Sequence, residues 1–303
     1  MDIDRALRFS HYASRVVAAR PQLRDELAAT VGSPFPIAQA LNALAPHVEA
    51  LDAPRLASAL RALRERVMLH TLVRDLEGAA GLDEVFHAMP SLADGALAAA
   101  QRLHHRDLAL AFGEPRSAED GAAQQLNVLA LGKLGGGELN VSSDIDLVFV
   151  YPAEGETDGP RPIANREFFD RLGRRVIGAL NDVTANGFVF RVDMRLRPHG
   201  ESGPLTVSFA GLEQYLVTQG RTWERYAWLK ARSITGERRD ELEQLVAPFV
   251  YRKYLDFDAY DGLRDVHRQI REQAQRRSHG DDIKLGPGGI REIEFTVQAM
   301  QLV

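Results

Sequence analysis

The amino-acid sequence predicts an α+β fold: a small mixed β-sheet flanked by an N-terminal helical region and a C-terminal helical bundle. Apolar residues recur three and four positions apart through the first 111 residues, which is the spacing of amphipathic helices. Short apolar, β-branched runs follow between residues 126 and 198 and are typical of strands. We therefore expect a helical region at 1–111, a β-containing core at 112–207, and a helical domain at 208–303 that is truncated at its C-terminus.

Composition places the chain among soluble globular proteins and excludes several kinds of site. Of its 303 residues, 45% are hydrophobic and 26% are charged, values that allow a sizeable core. There is no cysteine, which excludes disulfides, thiolate zinc sites and cysteine nucleophiles and fits a cytoplasmic location. The net charge of −5 argues against a nucleic-acid partner. Because we find no apolar stretch long enough for a membrane span and no signal peptide, we also expect no membrane partner.

Several packed helices are expected in the first region. Leu56, Leu60, Leu63 and Val67 form one apolar stripe at helical spacing. Four prolines are predicted to mark helix boundaries: Pro36, Pro46, Pro54 and Pro90. The polar, turn-rich stretch 112–125 is predicted to be a linker. Nothing in the first region suggests chemistry.

Three strands and one helix are predicted for the core. The apolar run 126–131 indicates a buried strand, and 132–143 a loop with one helical turn. A second strand is predicted at 144–151 and an amphipathic helix at 163–186. The alternating sequence at 187–198 predicts a third strand with four polar residues on one face: Arg191, Asp193, Arg195 and Arg197.

The rest of the sequence is predicted to be helical, with segments near 208–219, 221–233, 237–250 and 258–279. It stops at Val303 inside an apolar helical pattern, EFTVQAMQLV, without a cap or stop signal. This pattern predicts that the chain is a fragment of a longer protein.

The second predicted strand carries a pair of aspartates with clear chemical content. Asp144 and Asp146 alternate, so both side chains project from one face. Two carboxylates this close stay ionised together only if a cation lies between them, and Mg²⁺ is the usual occupant. If the strand of Asp193 lies alongside, two ions ~3.5–4 Å apart would bind the attacking and leaving oxygens of a displacement at phosphorus. The alternative is a pair of surface aspartates on an edge strand.

A glycine-rich segment precedes this pair, since Gly132-Lys133-Leu134-Gly135-Gly136-Gly137 directly follows the first predicted strand. Glycines allow backbone amide groups to approach a phosphate closely. The segment is not a P-loop, and Leu134 stands where a dinucleotide-binding fingerprint requires glycine. Its position next to the aspartates predicts a phosphate-binding loop that faces a metal site.

This arrangement resembles the DNA polymerase β-like nucleotidyltransferase superfamily, in which a strand ends in Gly-Ser and an Asp-x-Asp strand follows shortly after. Gly132-Lys133 takes the Gly-Ser place, and Ser143 directly precedes Asp144. Lys133 departs from the serine of the superfamily and offers phosphate an ammonium group instead of a hydroxyl. By this resemblance, 112–207 is the nucleotidyltransferase catalytic core.

Four longer segments are similar to the family of bifunctional glutamine synthetase adenylyltransferase/adenylyl-removing enzymes. They are ALGKLGGGELNVSSDIDLVFVY, VDMRLRPHGESGPL, GRTWERYAWLKAR and IKLGPGGIREIEFTVQ. In that family two homologous halves lie in tandem. The N-terminal half removes AMP from a tyrosine of glutamine synthetase by phosphorolysis, and the C-terminal half attaches it. SSDIDL and GGIREIEF are similar to the N-terminal half.

The resemblance implies roles for individual residues. The residues that match the metal carboxylates are Asp144, Asp146 and Asp193. Those that match the phosphate-holding segment are Gly132, Lys133, Gly135, Gly136 and Ser143. Arg195 and Arg197 have two alternatives, contact with the phosphate or pairing with a neighbouring aspartate. Trp223 and Tyr226 fit a family motif and a core equally well, and Glu292 and Glu294 are expected to form structural ion pairs.

The function implied is phosphorolytic removal of AMP from adenylyl-tyrosine of glutamine synthetase, which uses inorganic phosphate and releases ADP. Two Mg²⁺ ions are expected, with Mn²⁺ as the alternative. The expected partners are glutamine synthetase, phosphate, adenine nucleotides and, through a longer protein, the PII signalling protein. The alternatives are forward adenylylation from ATP and a non-catalytic regulatory module that docks glutamine synthetase or PII. Nucleotidyltransferases that act on small molecules share only the active-site motif.

Overall fold

A computed structural model describes residues 1–251, 265, 268, 272, 282–284, 286 and 288–302. The helix predicted near 258–279 lies almost entirely outside these residues. The described residues form an α+β fold in which helices flank a small mixed sheet, and this confirms the predicted fold class.

Seven helices form the N-terminal part of the chain. They are α1 (Ile3–Phe9), α2 (His11–Ala19), α3 (Gln22–Thr30), α4 (Ile37–Asn42), α5 (Ala45–Glu49), α6 (Ala53–Leu76) and α7 (Leu82–Phe112). Pro36, Pro46 and Pro54 stand at helix starts, as predicted. The prediction for Pro90 is wrong, because this residue lies inside α7. Its neighbours Met89 and Leu92 are fully buried, so tertiary packing stabilises a helix that proline alone would interrupt.

Five strands form the sheet. They are β1 (Asn127–Leu131), β2 (Ile145–Tyr151), β3 (Val192–Asp193), β4 (Thr206–Ser208) and β5 (Arg232–Thr235). The strand order is β3-β2-β1-β5, and β4 also pairs with β2. β1 runs antiparallel to β2 and β5, whereas the short strands β3 and β4 run parallel to β2. The predicted strands at 126–131 and 144–151 are therefore confirmed within one residue of their ends.

Two other sequence predictions are wrong. The third strand, expected over 187–198, is reduced to Val192–Asp193, because the chain turns after Asp193 and the Arg195 amide bonds back to the Asp193 carboxylate. The helix expected near 221–233 ends at Trp228 and is followed by β5. Residues Arg232–Thr235 are recruited to the sheet by pairing with β1, a long-range interaction that overrides a local helical pattern.

The sheet separates two hydrophobic clusters. Alternate β2 residues, including Ile145, Leu147 and Phe149, pack with α6, α7 and α9 (Asn165–Asn181). The intervening residues Val148 and Val150 pack on the other side against three helices: α10 (Phe209–Thr218), α11 (Thr222–Trp228) and α12 (Arg239–Val250). Each fully buried aliphatic side chain stabilises this arrangement by about 1.5–3 kcal/mol. Because β2 is buried on both faces, it is a rigid support for any polar group at its start.

A last described helix, α13 (Ile290–Gln301), follows the segment around Lys284. No helix within the described residues is both long and apolar enough to cross a membrane.

Candidate active site

The three predicted aspartates lie at one end of the sheet. Asp146 is the one residue of β2 that is not fully buried, and in the parallel β2–β3 pair it stands directly opposite Asp193. Asp144 lies immediately before β2 and has the same strand parity as Asp146. The structure therefore brings together three carboxylates that are up to 49 residues apart in the sequence (193 − 144).

The electrostatics of Asp146 show how closely these groups interact. The pKa of the Asp146 carboxyl is raised to about 6, chiefly by burial and then by the negative charges of Asp193 and Asp144, while Arg195 and Lys284 partly offset the rise. Asp193 behaves in the opposite way: hydrogen bonds from Arg195 hold the pKa of its carboxyl below the ordinary value. A divalent cation would relieve the repulsion around Asp146, and three carboxylates are the oxygen donors that Mg²⁺ and Mn²⁺ prefer.

Two of the carboxylates are engaged by arginines. Arg191 pairs with Asp144, and Arg195 Nε donates to Asp193 Oδ2 at 2.8 Å. Within the described ranges, no group of three or more His, Cys, Asp or Glu side chains is arranged so that it could hold a metal ion as it stands. Arg191 and Asp144 are each 51% exposed, and exposed pairs of this kind contribute at most about 1 kcal/mol. The three carboxylates supply oxygen donors of the kind that divalent cations bind, and Asp144 and Asp193 would have to turn away from their arginines to share one ion.

The glycine loop lies directly against this cluster. Gly132 has a φ of +54° and begins the short helix α8 (Gly132–Gly135) straight after β1. A Cβ atom at Gly132 would lie 2.5 Å from Asp146 Oδ2. Gly135 is buried, and a Cβ there would collide with the backbone carbonyl oxygens of Lys230 and Ala130. Glycine is therefore required at 132 by the approach to the carboxylate and at 135 by packing against the neighbouring segment.

Lys133 and Ser143 differ in whether their side chains have hydrogen-bond partners. No hydrogen bond or ion pair of the Lys133 ammonium group is found within the described part of the chain, and the side chain is half-buried at the start of α8. The Ser143 hydroxyl donates to Asn140 Oδ1 at 2.5 Å. The Lys133 ammonium group thus has no partner among the described residues, whereas the Ser143 hydroxyl bonds within the turn before Asp144.

Arg195 and Arg197 follow different alternatives. Arg195 is paired with the carboxylate of Asp193, as one of the two predicted alternatives has it. Arg197 donates instead to the backbone carbonyls of Met194 and Glu201, at 2.8 and 3.1 Å. Both guanidinium groups lie just after β3, but neither lies on an extended third strand.

The remaining motif residues have mostly structural contacts. Trp223 is 41% exposed, which argues against the core alternative for this residue, while Trp228 is buried. Buried Glu224 accepts hydrogen bonds from the Tyr215 hydroxyl and the Arg221 amide.

The two glutamates near the end of the chain have different surroundings. Glu292 accepts from the Gly288 amide at 2.8 Å. Glu294 lies near Tyr226 and, together with burial as the larger cause, raises the pKa of that phenol.

Sequence reasoning missed several contacts around the site. Arg191 was placed on the correct face, but its pairing with Asp144 was not expected. Asp94 of α7 pairs with Arg232 of β5, and Glu138 pairs with Lys230. No local signal marks Asp94, because a half-buried aspartate on a long helix is unremarkable until its partner is known.

Comparison with known proteins gives two family matches. The family described as glutamate-ammonia ligase adenylyltransferase matches residues 1–246. The family described as GlnD PII-uridylyltransferase matches residues 264–303.

Curated relatives are similar along almost the whole chain. The bifunctional glutamine synthetase adenylyltransferase/adenylyl-removing enzyme of Chromobacterium violaceum is 54% identical over 302 residues, which cover 99% of this chain and 33% of that protein. The enzyme of the same name from Nitrosomonas europaea is 50% identical, over 98% of this chain and 33% of that protein. The chain thus spans about a third of the length of these relatives.

Proposed function

Since the chain belongs to the glutamate-ammonia ligase adenylyltransferase family, we propose that it removes AMP from an adenylylated tyrosine of glutamine synthetase. An oxygen of inorganic phosphate attacks the phosphorus of the AMP group. The bond between that phosphorus and the tyrosine oxygen breaks, so that the tyrosine departs as the leaving group and ADP is the product. The observation that carries this proposal is the close approach of Gly132 to Asp146, which sets a glycine loop and three carboxylates against each other. The curated relatives are named as enzymes that both add and remove the adenylyl group.

Asp144, Asp146 and Asp193 are the residues that would hold divalent metal, Mg²⁺ or alternatively Mn²⁺. When bound, two such ions neutralise phosphoryl charge and stabilise the leaving oxygen. The raised pKa of Asp146 supports this assignment, because three neighbouring carboxylates without a cation repel one another.

The other residues position and neutralise the phosphate. Lys133, together with the amide groups at the start of α8, is the proposed phosphate ligand, since the first amides of a helix lack partners within it. Arg195 and Arg197 lie on the chain just after Asp193 and add positive charge. Ser143 and Gly136 complete the segment that surrounds the phosphate.

The groups available for proton transfer support removal of AMP over its addition. Phosphate is already an anionic nucleophile, and a tyrosine phenolate with a pKa near 10 is an acceptable leaving group. Forward adenylylation would instead require a base for the tyrosine hydroxyl. Asp193 is the natural candidate, but Arg195 lowers the pKa of its carboxyl and weakens it as a base. This supports removal of AMP, in agreement with the SSDIDL and GGIREIEF segments.

Forward adenylylation from ATP remains the alternative activity, and a regulatory module that docks glutamine synthetase or PII the alternative class. The regulatory module is disfavoured because all three aspartates are present, with Asp146 and Asp193 directly opposite each other on β2 and β3. PII is proposed as a partner of the longer protein only.

The reaction can be tested by its product. Given adenylylated glutamine synthetase, Mg²⁺ and inorganic phosphate, the chain should release ADP, because phosphate and not water is the nucleophile. Nucleotides are separated by chromatography, and the matched control omits phosphate, which should abolish ADP formation. AMP as the main product, or transfer of label from ATP to unmodified glutamine synthetase, would show that the proposed direction is wrong.

Lys133→Ala should raise the KM for phosphate by at least about tenfold, since one charge-assisted contact contributes about 1.5–3 kcal/mol. Its melting temperature should stay close to that of the wild type, because the described residues show no partner for this ammonium group. Lys133→Arg should restore phosphate binding poorly, because the guanidinium is larger and planar. Steady-state kinetics at varied phosphate, together with thermal unfolding, make this measurement. An unchanged KM with a lowered melting temperature would assign Lys133 a structural role instead.

A further inference from the structure

An ion pair joins the N-terminal helical region to the sheet close to the glycine loop. Asp94 lies on α7 and accepts hydrogen bonds from both terminal nitrogens of Arg232, at 2.8 Å and 3.1 Å. The two side chains are 32% and 37% exposed, so the pair is partly shielded from water. This two-point geometry fixes the orientation of the guanidinium plane more tightly than a single contact would.

The same guanidinium binds the glycine loop. Arg232 Nη2 also donates to the carbonyl oxygen of Leu134 at 3.1 Å. Leu134 is buried inside α8, one residue after Lys133 and two after Gly132. Arg232 is therefore a bridge: Asp94 holds it on one side, and it holds the backbone of the loop on the other.

Further contacts join the glycine loop to Lys230, which lies just before Arg232 in the sequence. Gly135 packs so closely on the Lys230 carbonyl that no side chain could be added there. The Lys230 ammonium group pairs with Glu138, at the far end of the loop. The loop 132–138 is thus supported along its length by the residues that lead into β5, and Arg232 is the member of this support that reaches back to α7.

We propose that Asp94 is a positioning residue for the phosphate-binding loop, acting through Arg232 on the backbone at Leu134. It keeps Lys133 and the loop amides at a fixed distance from Asp146. The proposal rests on the proposed function for the identity of the anion, but not for the position of the loop. It also gives the N-terminal helical region a part in positioning the loop.

The expected consequence is a loss of phosphate binding with little loss of folding. In Asp94→Asn the shape of the side chain is kept, but one hydrogen-bond acceptor and the negative charge are lost. Arg232 is then free to turn to solvent, and the loop is no longer held. Loss of such an outer support typically costs about 10–100-fold in ligand affinity or activity, and a displacement of about 1 Å is enough to do so.

A matched control lies on the same helix. Asp107 is also a partly exposed aspartate of α7, and it pairs with Arg175 of α9 at 2.5 Å. At 1.5 Å per residue, it is about 20 Å further along α7 than Asp94. Asp107→Asn therefore removes an equivalent ion pair of α7 without touching the loop.

The experiment compares Asp94→Asn, Asp94→Glu and Asp107→Asn in the 303-residue chain. We expect Asp94→Asn to raise the KM for phosphate at least about tenfold, with a smaller change in kcat. Asp94→Glu should recover part of this loss, and Asp107→Asn should behave as wild type. Hydrogen exchange of the amides in 132–138, followed by mass spectrometry, should be faster in Asp94→Asn only.

The two readouts separate this proposal from the proposed function. If the wild type produces no ADP, the proposed function fails, while the exchange rates still decide whether Asp94 holds the loop. If the wild type is active but Asp94→Asn matches Asp107→Asn in KM and in loop exchange, the positioning role is overturned and the function stands. Should Asp94→Asn fold poorly, Arg232→Lys provides the second test, because it keeps the charge and loses the two-point geometry.

Discussion

Asp146→Asn should reduce turnover below about one-hundredth of the wild-type rate, comparable to the loss of a central charge-stabilising group in other active sites. A Cβ atom at Gly132 would meet the Asp146 carboxylate, and the negative charges of Asp193 and Asp144 both raise the pKa of that carboxyl. Asparagine has nearly the same shape but supplies only one neutral oxygen donor. ADP release from adenylylated glutamine synthetase is the assay, and Asp107→Asn is the matched aspartate control.

The same substitution should stabilise the fold in the absence of divalent metal. Because the folded-state pKa of Asp146 is raised from 3.8 to about 6, the wild type loses stability as the pH rises from about 4 through about 6. Asparagine does not ionise, so the variant avoids this loss, and at pH 7 it should be more stable by about 1–2 kcal/mol after allowance for partial exposure. Thermal unfolding in a chelator measures the difference.

Added Mg²⁺ should reverse the order. It should raise the melting temperature of the wild type and have little effect on Asp146→Asn, since ligands stabilise only the state that binds them. If Asp146→Asn kept more than about a tenth of the wild-type activity, the metal assignment would be contradicted, because loss of a central charge-stabilising group should leave far less activity than that. So would equal stabilisation of both proteins by Mg²⁺.

Gly132→Ala should be the second most damaging single change. Its backbone lies in the left-handed region, which costs a residue with a side chain about 1–2 kcal/mol. The added methyl group would also meet Asp146 Oδ2 at 2.5 Å, so either the carboxylate or the loop must move. Because a misplacement of about 1 Å can cost about 100-fold in rate, we expect activity to fall by that order.

Gly137→Ala separates the two effects. Gly137 belongs to the same loop and has a φ of +71°, but a Cβ atom there meets nothing within 4 Å. The Gly137→Ala variant should therefore have a lower melting temperature, because of the backbone strain, and should keep most of its activity. If both variants lose activity equally, the loop is sensitive to backbone strain alone, and the close approach of Gly132 to Asp146 has no special importance.

The arrangement of the site explains which parts of it could be predicted. β1, the glycine loop and β2 are contiguous, so alternation and residue type were sufficient to place Asp144 and Asp146 on one face beside Gly132. The alignment of Asp193 with Asp146 required two strands to pair across the sheet, which the sequence indicated only through resemblance to a known superfamily. The extent of β3 was overestimated, because the bond from Arg195 to Asp193 ends the strand.

By itself the sequence determined the fold class, the two central strands and the loop between them, and it singled out the residues of the candidate site. These features depend on short-range periodicity and on residue type, and both are present in any local window of the chain. Tertiary structure alone decided that β5 joins the sheet, that Arg191 engages Asp144, and that Asp94 meets Arg232 across 138 residues. The physical reason is that a side chain's partner is chosen by packing between distant segments, and local spacing carries no record of that choice.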